Sequence, residues 1–158
     1  MQTTPAPPLA GYERVAVVCA AWHADIVGQA RASLLAALQS QGVTGERVDS
    51  FDVPGAFEIP LLVQTLARAG QHQAIVAIAL VVDGGIYRHD FVASTVVDAL
   101  MRVQLASGVP VINVVLTPKA FHEHADHQAF FSAHFVKKGV EAAQACLGAM
   151  ALQRRFRA

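Results

Sequence analysis

Four short stretches of this chain carry residue types able to do chemistry together. Val53 to Pro60 reads VPGAFEIP. Proline lacks an N–H and fixes φ, so Pro60 is tolerated only in the first turn of a helix. The helix therefore starts at about Ala56 to Glu58, with Gly55 as the preceding turn. Its free backbone N–H groups would sit beside the Glu58 carboxylate and the Phe57 ring, where a polar, partly aromatic ligand can be held. Glu58 can accept hydrogen bonds from hydroxyls or amines, or simply suit the helix dipole. A second stretch, Asp83 to Asp90, reads DGGIYRHD. Paired glycines before a helix let backbone N–H groups approach an anion closely. Arg88 adds a fixed cation suited to phosphate, and His89 can move protons near neutral pH. Third, Trp22, the single tryptophan, precedes His23. It can stack on a heteroaromatic ring or pack as an ordinary apolar residue. Last, Phe121 to His134 holds His122, His124, His127 and His134 with Glu123 and Asp126. The spacing admits a metal site, but no HxxxH or HExxH frame occurs. An exposed polar segment, or one histidine binding an anion, fits as well.

The elements that must position these residues alternate in type. Arg14 to Ala20 is a continuous apolar run, as in a strand buried on both faces. Ile26 or Val27, Ala30, Leu34, Ala37 and Leu38 recur at helical spacing, and Gly42 is a stop. Glu46 to Asp52 fits a more polar strand. Ile59, Val63 and Leu66 carry a second helix up to Gly70, and Ala74 to Val82 forms the most apolar strand. A third helix runs from Phe91 or Val92 through Val103 to Gly108. Val109 to Leu116 is a fourth strand, and Val140 to Ala151 lies in a last helix. This βαβαβαβ order with a final helix predicts a three-layer α/β/α fold. Right-handed crossovers favour a four-stranded parallel sheet in flavodoxin-like order 2-1-3-4. Ligands in such sheets gather at strand carboxyl ends, which groups 21–25, 54–58, 83–89 and the segment from Thr117 onward.

Composition narrows the function. The chain has 158 residues, expected to form one domain over 12–158 after a flexible or extended arm over 1–11 rich in proline. Charged residues make up only 15%, against about 25% in ordinary proteins, which suggests either broad subunit interfaces or a bland alanine-rich surface. Twelve basic and twelve acidic side chains cancel without a basic stripe, so nucleic acid is not an expected partner. No apolar run is long enough for a membrane span and no signal peptide is apparent. Cys19 and Cys146 read as separate buried thiols, in keeping with a cytoplasmic protein.

Together the four loops resemble lumazine synthase, and the likeness spans about Val15 to Ala151. VPGAFEIP is the most specific motif, and VVDGGIYRHDFV and LTPKAFHEHADH resemble the type II branch. The resemblance implies condensation of 5-amino-6-(D-ribitylamino)uracil with 3,4-dihydroxy-2-butanone 4-phosphate to 6,7-dimethyl-8-ribityllumazine, the penultimate step of riboflavin biosynthesis. It implies neither a metal nor an organic cofactor. By the same resemblance Trp22 stacks on the pyrimidine, and Ala56, Phe57 and Glu58 hold the ribityl chain. Leu80, Val81 and Val82 bind the uracil edge, and Asn113 reaches the pyrimidine of a neighbouring subunit. Gly85 and Ile86 form the phosphate turn, with His127 and Lys138 near the phosphate. Family members assemble as pentamers with active sites between adjacent subunits, and the type II branch as a decamer of two pentamers.

Two departures stand out. Arg88 occupies the position where most of the family has the proton-accepting histidine, and His89 follows it. Arginine, with a pKa above about 12, is not a general base. Either His89 takes the proton, or Arg88 clamps phosphate and the substrate's own phosphate moves it. Asn113 replaces the usual aromatic and loses a stacking surface. A flavin or lumazine carrier that kept the pocket with little catalysis is the competing expectation.

Overall fold

β1, Val15–Ala20, forms where the sequence offers six consecutive residues that can be buried on both faces, and all six are buried. The computed structural model describes residues 11, 13–119 and 125–157. After β1 come α1 (Ala24–Ser40), β2 (Val48–Val53), α2 (Ile59–Ala69), β3 (Ala74–Leu80), α3 (His89–Ser107), β4 (Val111–Leu116) and α4 (Ala125–Phe156). The strands form one parallel sheet in the order β2-β1-β3-β4, as the alternating pattern predicts. The expected arm lies almost wholly outside the described residues.

Side chains alternate across the sheet, so each central strand feeds two cores. Val15, Val17 and Cys19 with Val76 and Ile78 pack under α1 and α4. Ala16, Val18 and Ala20 with Ile75, Ala77 and Ala79 pack under α2 and α3. Both cysteines are free thiols, and both are buried.

Three boundaries depart from the periodicity. Residues 45–47 form a one-turn 3-10 helix in which the Arg47 N–H donates to the Thr44 carbonyl at 3.0 Å, so β2 starts at Val48 rather than Glu46. Pro110 has no N–H for a ladder, and β4 begins at Val111, whose N–H is taken by Gln104 Oε1 at 2.8 Å. The largest difference is α4, which begins at Ala125 and runs 32 residues. The polar face presented by His127 and His134 hid its helical period, because the last helix was legible only where apolar residues recur.

α4 lies against α1, and Gly139 makes that approach possible. A Cβ at this position would collide with Ser33 Oγ and the Ala30 carbonyl oxygen and lie 2.9 Å from Leu34 N. At the opposite edge of the sheet from the loops, Glu13, only 3% exposed, accepts two hydrogen bonds from Arg154, at 3.0 and 2.6 Å. Nearby, Asp49 on β2 accepts from Arg14 Nη2 at 2.8 Å and pairs with the buried His72 through Nε2 at 2.7 Å. The His72 hydrogen bond, then that of Arg14, holds the Asp49 carboxyl below its usual range.

Gly139→Ala should destabilise the chain by about 1–3 kcal/mol through overpacking, although alanine is the better helix former by about 1 kcal/mol. A urea midpoint equal to or above wild type would contradict this close approach. For Asp49 the folded-state pKa is depressed, so its contribution is present above about pH 4, the unfolded value, and is lost as pH falls through the folded value. Asp49→Asn should therefore narrow the loss of stability between neutral pH and about pH 3 in urea melts. An unchanged pH profile would show that the pair contributes nothing.

Candidate active site

The loops leaving β1, β2 and β3 meet at the carboxyl edge of the sheet around one cavity of about 850 Å³. That volume suits an organic ligand larger than a single sugar or phosphate. Its walls come from Trp22 and His23 after β1, Gly55 to Glu58 after β2, Leu80 to Gly85 after β3, and Tyr87, Arg88, His89 and Val92 at the start of α3.

Each wall follows from a local rule. After β2, residues 56–58 make a 3-10 turn that runs into α2, with Pro60 inside the first turn. This is where the proline frame predicts a helix start. Gly55 is extended, so its need for glycine is one of space rather than of φ. A Cβ there would lie 3.2 Å from Glu58 Oε2 and 3.8 Å from Trp22 Cδ1. The missing side chain lets the carboxylate and the indole share one corner of the cavity. Trp22 is 71% exposed and Phe57 67%, so neither belongs to the core. Large exposed aromatics on a concave wall are surfaces for a ligand or a partner. His23 holds a left-handed backbone, φ 54°, the one described non-glycine residue with positive φ. Such a conformation is uncommon for a non-glycine residue. Here it turns the chain from β1 into α1, whose Ile26 and Val27 N–H groups bond the His23 carbonyl at 3.0 and 2.9 Å.

The β3–α3 loop supplies the polar end. Gly85 has φ 78°, and its N–H donates to Asp83 Oδ1 at 2.7 Å. Arg88 lies over the Phe91 ring, 4.2 Å from its centroid, and donates from Nη2 to Asp90 Oδ2 at 2.9 Å. That hydrogen bond raises the Arg88 pKa further and holds the Asp90 carboxyl below its usual range. Arg88 is therefore a permanent cation. His89 is half-buried at the first position of α3 and lines the same cavity.

Sequence comparison places this arrangement among known proteins. A sequence model of the 6,7-dimethyl-8-ribityllumazine synthase family matches residues 13–154. The chain belongs to that family. The 6,7-dimethyl-8-ribityllumazine synthase of Rhodococcus erythropolis is 59% identical over 133 residues, covering 84% of this chain and 86% of that protein. The 6,7-dimethyl-8-ribityllumazine synthase 2 of Pseudomonas syringae pv. tomato is 52% identical over 145 residues, 92% of this chain and 85% of its own length. The protein of the same name from Bradyrhizobium diazoefficiens is 51% identical over 151 residues, covering 96% and 90%.

Of the residues singled out from the sequence, Trp22, Ala56, Phe57, Glu58, Leu80, Val81, Val82, Gly85, Arg88 and His89 line the cavity. Four do not. Ile86 is not part of the wall and is 83% exposed. Asn113 is exposed on the edge strand β4, with Oδ1 accepting the Val115 N–H at 2.9 Å. His127 lies on α4 with its ring edge-on to Phe131, at 6.2 Å between centroids. Lys138 pairs with Glu141 at 2.7 Å, one residue before the tight contact of Gly139 with α1. His122, Glu123 and His124 lie outside the described residues. Among the described residues no group of three potential ligands could hold a metal. The cavity also includes His23, Asp83, Tyr87 and Val92, which the sequence reading did not assign. The first three sit in strand-end loops already grouped by the topology rule, and that position was the available signal.

Trp22 is the single tryptophan of the chain and stands on the cavity wall. Riboflavin entering the cavity should quench its emission, and Gly55→Val, which fills the corner shared by Trp22 and Glu58, should abolish the quenching. Equal quenching in wild type and Gly55→Val would place the ligand elsewhere.

Proposed function

We propose that this chain condenses 5-amino-6-(D-ribitylamino)uracil with 3,4-dihydroxy-2-butanone 4-phosphate to 6,7-dimethyl-8-ribityllumazine, phosphate and water, the penultimate step of riboflavin biosynthesis. The observation that carries this reading is one cavity shared by Trp22, Glu58, the backbone end of β3, Arg88 and His89. The cavity lining combines an aromatic face, a hydroxyl acceptor, backbone polar groups at a strand end and a cationic end. That set of groups suits a pyrimidine bearing a ribityl chain beside a phosphorylated ketone.

In this reading Trp22 stacks on the pyrimidine, and Glu58 with the Ala56–Phe57 backbone holds the ribityl hydroxyls. Residues 80–82 bind the uracil edge beyond β3. Gly85, Ile86 and Arg88 receive the phosphate. The amine attacks the ketone to give an imine with loss of water, phosphate is eliminated, and ring closure releases a second water. The protein's main contributions are orientation, worth a large share of such a barrier, and proton transfer. Arg88, paired with Asp90 as a cation, is not a base, and we assign proton transfer to His89 at the α3 start. The type II branch remains our assignment on the strength of VVDGGIYRHDFV.

Asn113, His127 and Lys138 stand off the cavity of a single chain. In our reading an adjacent subunit completes the active site, and pentamers pair into a decamer. Exposed Phe57, Leu61, Tyr87 and Phe91 beside the cavity fit such a covering. No helix among the described residues is long and apolar enough to cross a membrane, and we place the protein in the cytoplasm.

Purified protein given both substrates should form fluorescent lumazine well above the uncatalysed rate. Loss of general acid–base catalysis costs about 10²–10⁴-fold, so His89→Ala should lose at least the lower part of that range in kcat. Arg88→Ala should mainly raise KM for the phosphorylated ketone. A wild-type rate in His89→Ala would remove His89 as proton carrier. No acceleration by the wild-type protein, while riboflavin still binds, would make it a carrier instead. Light scattering on the active preparation should report a multiple of five chains.

A further inference from the structure

The anion-binding end of the cavity is held by the chain's own carboxylates. The Gly85 N–H donates to Asp83 Oδ1 at 2.7 Å. Arg88 donates to Asp90 through Nη2 at 2.9 Å and through Nε at 3.4 Å. Asp83, Gly84, Gly85 and Arg88 all line the cavity. A backbone N–H has one hydrogen, and a carboxylate oxygen at this distance takes its full strength. An incoming anion therefore meets a donor in use and a negative charge beside it.

We propose that Asp83 is a specificity-determining competitor at this subsite, holding the Gly85 N–H until a phosphate group displaces its carboxylate. The proposal rests on the reading of the cavity as a lumazine synthase site and deepens it. Gly85 is bent into the left-handed region that lets its N–H face the Asp83 side chain across the turn. Gly85 itself lines the cavity, so release of Asp83 frees that N–H for a ligand held there. A dianionic phosphate, binding the freed N–H and drawing Arg88 from Asp90, offsets the displaced carboxylate. A neutral ketone or an uncharged polyol does not. Asp83 thereby raises the threshold for entry, and only an acceptor strong enough to take the Gly85 N–H displaces it.

The rival role for Asp83 is that of a turn builder, and a charge series separates the two. Asp83→Asn keeps an acceptor for the Gly85 N–H but removes the charge, whereas Asp83→Ala removes both. Calorimetric titration of the full-length assembly with inorganic phosphate should show both variants binding about tenfold more tightly than wild type, the scale of one charge-assisted hydrogen bond. Asp98→Asn, on α3 in an exposed pair with Arg102, should leave phosphate affinity unchanged. Unchanged or weaker binding in both Asp83 variants would overturn the proposal. So would weaker binding in Asp83→Ala with wild-type binding in Asp83→Asn, or a gain in Asp98→Asn as large as theirs. Lumazine formation is measured on the same wild-type preparation. Turnover without the phosphate shift removes only the role of Asp83, and the shift without turnover removes only the reaction.

Discussion

Everything in this fold follows from the double-sided burial of β1 and β3. Their side chains are enclosed on both faces, so helices must cover both sides of the sheet. A chain confined in this way can turn outward only at strand ends. The parallel connections bring the ends of β1, β2 and β3 to one edge, where α1, α2 and α3 also begin. Three loops are thus forced together by packing, before any ligand is considered. The apolar interior contributes the rigidity of the cavity, and the loops contribute its chemistry.

The fold was legible in the sequence because burial on two faces leaves an unmistakable trace. VAVVCA and AIVAIAL need no periodicity to be recognised as strands. Right-handed crossovers favoured the strand order that the sheet adopts. α4 was only half legible, because its first turns carry His127 and His134 rather than an apolar stripe. The site was legible where a residue's chemistry and its strand-end position agreed, as for Trp22, Glu58, Arg88 and His89. Asp83 and His23 were not, since their importance lies in geometry. One turns its carboxylate onto a neighbouring N–H, and the other accepts a left-handed backbone at a corner. Neither property has a residue signature. Asn113, His127 and Lys138 were assigned by resemblance, and a single chain does not carry them to the cavity.

The charges around the cavity show economy. Arg88 has Asp90 two residues away and the Phe91 face beneath it, and the Gly85 N–H has Asp83. Both of these donors therefore have a partner within two residues in the chain. For these two donors, ligand binding is an exchange of partners. Its cost is then electrostatic, with little conformational entropy to lose.

Glu13 has a consequence for how the molecule is made. It stands two residues before the central strand β1, almost wholly enclosed, and Arg154 from the last turn of α4 grips it with two hydrogen bonds. A carboxylate enclosed without its cation is severely unfavourable. Glu13 and Arg154 lie 141 positions apart in sequence, so the pair forms only once α4 has docked on the sheet. Until then the approach to β1 keeps its carboxylate in water. Burial of the first strand's start and docking of α4 thereby become one event.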